Sequence, residues 1–141
     1  IGGYIDRVDK TENGIRVIDY KTGADDTTFK TIESIFEPEN PSRNKAAFQT
    51  ILYCFMFDNI HPSDHPLVPG IYSTKLLFGK NYNYRLKYDK DYINNIRQYE
   101  SEFKEYLTKL LEEIFSPTVP FIQATDIKKC RNCSYKGICR R

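Results

Sequence analysis

The first residues, IGGYIDRVDKTENGIRVIDYKTG (residues 1–23), decide how the chain is to be read. Ile1 to Asp9 and Ile15 to Lys21 are rich in Ile, Val and Tyr, and Lys10-Thr11-Glu12-Asn13-Gly14 between them ends in an Asn-Gly turn signal. That combination predicts a β-hairpin. Residues i and i+2 of a strand share a face, so Asp19 and Lys21 emerge together while Ile18 and Tyr20 turn into packing on the other side. With Asp6 on the first strand, two carboxylates and one ammonium can converge at the open end of the hairpin.

That set of groups suits phosphodiester hydrolysis. Magnesium is commonly held by one or two carboxylates plus substrate oxygens and waters, a demand Asp6 and Asp19 can meet. A bound divalent cation acidifies water and neutralises phosphate charge, and Lys21 would orient the attacking water and stabilise developing negative charge. The plainer alternative is a pair of surface charges on a strand edge, contributing about 0–1 kcal/mol.

Outward from the hairpin, Ala24 to Asn44 is polar with Pro38 and Pro41 and reads as a connection, within which Phe29, Ile32, Ile35 and Phe36 suggest two turns of amphipathic helix. A helix is expected from Arg43 to about Asn59, where Phe48, Ile51, Leu52, Phe55 and Met56 recur at steps of three and four, with Ser42 as N-cap. Its Gln49 and Tyr53 are four residues apart and share a face. Tyr53 on its own lies in an apolar run and reads as a core residue. Strands follow at Gly70 to Phe78 and at Tyr82 to Tyr88, joined by a turn at Gly79-Lys80-Asn81. Tyr82, Tyr84 and Tyr88 suit either packing or stacking on nucleic acid bases. Tyr92, Ile96, Tyr99, Phe103, Tyr106, Leu110 and Ile114 then form one stripe of a long helix over Asp91 to Phe115, stopped by Ser116-Pro117 and expected to cover one face of the sheet.

The segments Gly3-Tyr4-Ile5-Asp6-Arg7 and Asp19-Tyr20-Lys21-Thr22-Gly23, followed in order by Gln49-x-x-x-Tyr53, closely resemble the PD-(D/E)XK nucleases, in particular the RecB-like branch that includes AddB subunits of helicase-nucleases and CRISPR-associated exonucleases. The resemblance implies an α/β restriction-endonuclease-like core with a central mixed sheet flanked by helices. It implies that Asp6, Asp19 and the Tyr20 carbonyl ligate magnesium or manganese, that Lys21 is catalytic, and that Gln49 and Tyr53 assist. The implied function is metal-dependent DNA hydrolysis, exonucleolytic, within a larger helicase-nuclease of recombinational repair. Contact would be mainly to phosphate, with little sequence specificity.

Three of the four cysteines fall in the last twelve residues, as Cys130-x2-Cys133-x5-Cys139. Three thiolates suit zinc or an iron-sulfur cluster, although either normally takes four ligands. Cys54 lies in an apolar helical run and reads as a small buried hydrophobe. By the resemblance, the triplet would supply three ligands of a four-iron cluster whose fourth cysteine precedes Ile1, so that the site is expected to be vacant or degraded in this chain, with zinc as the lesser option. The whole of 1–141 would then be the C-terminal part of a nuclease domain lacking its N-terminal helix. Residues 126–141 form a basic tail within it, carrying net charge +5 and leaving residues 1–125 at −3.

Composition excludes several other classes. The total charge of +2 indicates neither a polybasic nor a strongly acidic chain, and 40% apolar content over 141 residues supports one folded domain. The longest apolar run, Ile51 to Phe57, is far short of the roughly 20 residues that span a bilayer. With no basic-then-apolar leader, the expected location is the cytoplasm. Two rival functions remain: a DNA-binding module that keeps the fold without catalysis, and a zinc-ribbon-like interaction domain in which the carboxylates are incidental.

Overall fold

The computed structural model describes residues 2–120 and 122–140. Strands β1 (Arg7–Thr11) and β2 (Gly14–Lys21) form the expected antiparallel hairpin, with Thr11 paired to Gly14 across Glu12-Asn13. Gly14 has φ +130°, and an added Cβ would lie 2.3 Å from the Pro66 carbonyl oxygen, so this position requires glycine. The first strand begins only at Arg7, later than expected, and Ile1 lies outside the described residues.

From β2 the chain passes through a short strand β3 (Thr28–Phe29) and a single 3-10 turn, Glu33–Ile35, into helix α1 (Lys45–Ile60). It returns as β4 (Leu67–Ser73), parallel to β2, giving a mixed sheet of order β1-β2-β4. The two turns of amphipathic helix expected around Ile32 are thus only one turn. Phe29, Ile32, Ile35 and Phe36 are nevertheless all buried, because their spacing serves packing under α1 rather than helical propagation. Asn44, not Ser42, caps α1. Its Oδ1 accepts from Ala47 N at 2.8 Å while its Nδ2 donates to the carbonyls of Asp26 and Thr28, tying the preceding loop to the helix start. Ser42 N instead donates to Asn40 Oδ1.

Beyond β4 the expected pair of long strands shrinks. Thr74 to Gly79 turns away, and the Tyr82 to Tyr88 segment contributes only a bridge from Arg85 to Gly70 and strand β5 (Lys87–Tyr88). With β3 and β6 (Asp91–Tyr92), β5 makes a second small sheet. Tyr82 explains part of this, since its hydroxyl donates to the Ile71 carbonyl and accepts from Ser73 N, the edge a longer strand would have used. The long helix is likewise shorter than its stripe: Asp91–Tyr92 is strand, Ile96–Tyr99 is a 3-10 turn, and α2 runs over Glu100–Phe115 before Ser116-Pro117.

Val17, Ile51, Cys54, Leu67 and Ile71 are fully buried between sheet and α1. On the outer side of α1, Phe103 of α2 meets Phe36, Phe48 and Phe55 with ring centroids 5.0–5.8 Å apart. Through these contacts α2 docks on the α1 layer, rather than covering the sheet as expected from its stripe. Arg97 fastens the same region, donating twice to Asp58 of α1 and once to the His65 carbonyl. This is a small α/β fold of mixed sheets and helices, and its rigid centre is the junction of β2, β4 and α1.

Candidate active site

On β2, Val17, Asp19 and Lys21 share the face packed against α1, because side chains alternate along a strand. Parallel pairing sets Asp19 beside Ile71 and Lys21 beside the buried Ser73. Asp19 is therefore carried under the helix and is only 4% exposed. The other face holds Arg16, Ile18 and Tyr20. Ile18 is fully buried there, but Tyr20 remains 45% exposed beside Tyr72, so it does not turn into packing as expected.

The Lys21 ammonium lies 2.7 Å from Asp19 Oδ2 and donates to Gln49 Oε1 at 2.8 Å. Gln49 in turn donates through Nε2 to the Tyr53 hydroxyl at 3.0 Å. Two local pairs, Asp19 with Lys21 and Gln49 with Tyr53, thus join across 28 residues into one chain, and the i, i+4 step of α1 places its last two members. Gly3 closes the row: an added Cβ there would lie 2.6 Å from the Tyr53 ring.

Asp6 sits just before β1, exposed, and its Oδ2 accepts from Tyr20 N at 2.8 Å. The side chain replaces the backbone partner that β1 would have supplied had it continued beyond Arg7. N–H and C=O of one strand residue leave by the same edge. The Tyr20 carbonyl accordingly faces the edge where Asp6 lies, while the Lys21 carbonyl faces β4 and accepts from Thr74 N.

The electrostatics of this corner are unbalanced toward negative charge. Asp19 Oδ2 is buried and makes no hydrogen bond among the described residues, so its contact with Lys21 is charge to charge without an aligned donor. Burial pushes the Asp19 carboxyl above its ordinary pKa, Lys21 opposes the shift, and the charges of Asp6 and Asp25 add to it. Asp25 is a residue sequence reasoning missed. It comes near because Ser73 Oγ donates to the Gly23 carbonyl and folds the turn after Lys21 back over the site, a long-range contact with no local signal.

Among the described residues no three His, Cys, Asp or Glu side chains gather into a metal-binding group. The donor set at this corner is two carboxylates and a carbonyl, and the buried Asp19 Oδ2, whose neighbour is the Lys21 ammonium, brings to it the oxygen chemistry of a hard divalent cation that keeps its own waters. The residues fit magnesium or manganese.

The cysteine tail contrasts with this. None of the four cysteines forms a disulfide, and Cys130, Cys133 and Cys139 do not assemble into a cluster-binding group among the described residues. Cys133 Sγ accepts from Tyr135 N at 3.4 Å, and the tail is anchored by Lys129, which donates to the Pro38 carbonyl, and by a Thr125–Glu39 hydrogen bond. Cys54 is fully buried within α1, and burial pushes its thiol pKa well up, as expected of a small packed hydrophobe.

A model of the PD-(D/E)XK nuclease superfamily matches residues 1–140, and the chain belongs to that superfamily. No curated protein and no solved structure matches it. Nuclease chemistry is therefore the class that fold and family define. Among the described residues, no helix is long and apolar enough to cross a membrane.

Proposed function

We propose that the protein is a metal-dependent deoxyribonuclease domain whose working groups are Asp6, Asp19, the Tyr20 carbonyl, Lys21, Gln49 and Tyr53. The observation that carries this reading is the unbroken row Asp19–Lys21–Gln49–Tyr53 at the edge where Asp6 meets Tyr20 N. Asp6, Asp19 and the Tyr20 carbonyl would hold magnesium or manganese, which when bound supplies an acidified water and neutralises phosphate charge.

The chain's own residues do the rest. Lys21, held from two sides, presents an N–H not taken by Gln49 to a phosphate oxygen or to the attacking water. Gln49 uses both ends of its amide, fixing the ammonium with one and the phenol with the other. The Tyr53 oxygen accepts from Gln49 and keeps its proton to donate, so it can bind a substrate phosphate. Asp19 is protected from bulk water, which strengthens its interaction with any cation placed there.

The motifs of residues 3–7, 19–23 and 49–53 support a RecB-like relative of AddB or of the CRISPR-associated exonucleases, acting on DNA ends beside a helicase partner. In the same reading, Cys130, Cys133 and Cys139 would hold a four-iron cluster only where a fourth ligand is supplied from outside this chain, and within this chain alone they complete none. Cleavage of labelled DNA with magnesium, manganese or EDTA tests the core of the proposal. Lys21→Ala is expected to abolish cleavage and keep DNA binding; cleavage by Lys21→Ala at the native rate overturns the mechanism.

A further inference from the structure

The side chains on the face of the β1-β2-β4 sheet turned away from α1 take no part in the site described above. Register places Arg7, Asp9, Arg16, Ile18 and Tyr20 on that face, with Val68 and Tyr72 of β4. Its aliphatic side chains are already buried, Ile18 at 0% and Val68 at 5% exposure, and arginine and tyrosine meet the solvent instead. At the turn end of the hairpin the face opens into a cleft of about 310 Å³ lined by Arg16, Asn13, Tyr84, Arg85 and Asn94, with Thr11, Pro66 and Val68 beside them.

The chemistry of this cleft is one-sided. No carboxylate lines it. Asp9, the acid bonded to Arg16, accepts from Arg7 as well, so these three carry a net +1 and Arg85 adds a second positive charge. Each guanidinium of the lining is held and still has donors to give. Arg16 spends Nε and one N–H of Nη2 on Asp9, while its Nη1 reaches the Tyr72 hydroxyl at 3.5 Å and its carbon lies 5.2 Å from the Tyr84 ring centroid. Arg85 rests on the Tyr92 ring and donates through Nη1 to Asn94 Oδ1 at 2.7 Å, and its Nε and Nη2 make no hydrogen bond among the described residues. Asn94 has thereby given up its acceptor, which leaves the N–H groups of its amide to donate. Thr11 Oγ1 is spent on the Gly14 carbonyl. Two fixed guanidinium forks with spare N–H groups, and no competing acid in the lining, match the several oxygens of a phosphate.

We propose that this cleft seats a backbone phosphate of the DNA strand, remote from the phosphate that reacts. The proposal rests on the nuclease reading for its ligand. Arg16 and Lys21 are five residues apart on β2, about 17 Å at the rise of a strand, and they face opposite ways. A strand joining the two places leaves the catalytic corner past the exposed Tyr20, whose hydroxyl meets the Arg7 guanidinium at 3.5 Å, and crosses the outer face to the cleft. Such a contact reads no base. It fixes the direction and register in which the strand lies.

The test measures binding of fluorescein-labelled dT12 to the full chain by anisotropy, in EDTA so that cleavage is off, across a series of KCl concentrations. Arg85→Ala is expected to weaken binding at least about fivefold at low salt and to lower the slope of log affinity against log salt by about 0.7, the share of one phosphate contact on a single strand. Asn13→Asp leaves both arginines in place and puts a negative charge in the lining, so it should weaken binding by a similar factor. Melting temperatures show which variants fold, and if Arg85→Ala does not, Asn13→Asp carries the test. Unaltered affinity in either folded variant, or no binding of dT12 by the native chain, overturns the seat. Inorganic phosphate decides the source of the ligand: if it raises the melting temperature of the native chain but not of Arg85→Ala, while dT12 binds both alike, the cleft holds free phosphate and the strand assignment falls. Cleavage with magnesium is scored separately. A chain that cleaves while Arg85→Ala binds dT12 as the native chain does keeps the nuclease reading and loses the seat, and Arg85-dependent binding without cleavage does the reverse.

Discussion

The two ends of the molecule carry equally compact motifs and treat them differently. Asp19, Lys21 and Gln49 stand on a central strand and a buried helix, where register and packing leave each side chain one place to go. Cys130, Cys133 and Cys139 stand on short turns whose bonds are mostly local, tied to the body through Lys129 and Thr125. The difference shows that a short motif has its side chains brought together when the core positions its backbone. Spacing in the sequence is not enough.

The largest expected effect tests this dependence on the core. Phe103 is fully buried against Phe36, Phe48 and Phe55, so Phe103→Ala should cost about 3–5 kcal/mol in urea unfolding and loosen the layer that backs α1. A loss below 1 kcal/mol would mean that α2 does not support the site.

Next comes the chemistry held by that layer. Gln49→Leu should lower cleavage by about 10²–10³-fold, comparable to losing a preorganised donor elsewhere, with little change in melting temperature. If the rate stays within twofold, the row from Lys21 to Tyr53 is only structural.

Acid sensitivity separates the two kinds of carboxylate. Asp58, held down by hydrogen bonds from Arg97, and Asp9, held down first by those from Arg16, have pKa values below the ordinary 3.8. Their contribution is complete above 3.8 and is lost as the pH falls through their folded values. Asp19 has the opposite sign. Its folded pKa lies above 3.8, so its cost is absent below 3.8 and grows as the pH rises through the folded value. Urea midpoints measured from pH 2.5 to 7 should therefore fall at the acid end by less in Asp58→Asn, which itself costs about 1–2 kcal/mol at pH 7. Asp19→Asn should flatten the loss on the alkaline side of 3.8. Unchanged pH profiles in both variants would refute the assignment.

The smallest effect is expected at the other end. Replacing Cys130, Cys133 and Cys139 together by Ser should change the stability of this chain by less than about 0.5 kcal/mol, as is usual for surface positions. A large drop in melting temperature would show that the thiols hold the tail through a bound group, and iron and zinc analysis of the native protein would say which.

Much of this was legible because it is periodic or local. Alternation along β2 announced that Asp19 and Lys21 share a face, and the i, i+4 step announced Gln49 with Tyr53. What stayed hidden depends on contacts distant in sequence. The Tyr82 hydroxyl bonds to β4 and cuts short a strand that its alternating tyrosines suggested. Asp91–Tyr92 pairs with β5 although its stripe continues that of α2. Asn44 outcompetes Ser42 as cap because it alone reaches the carbonyls of Asp26 and Thr28. Asp25 was passed over since nothing nearby in the sequence says that the turn after Gly23 folds back.

The crossover between β2 and α1 has an evolutionary meaning. Phe29, Ile32, Ile35 and Phe36 of the span from Thr22 to Asn44 are buried in the same core as Val17, Ile51, Cys54 and Ile71, so it is a structural element and not a spacer. Descendants of this chain can recompose its solvent-facing positions, such as Lys30, Thr31 and Glu37, but must keep its apolar spacing.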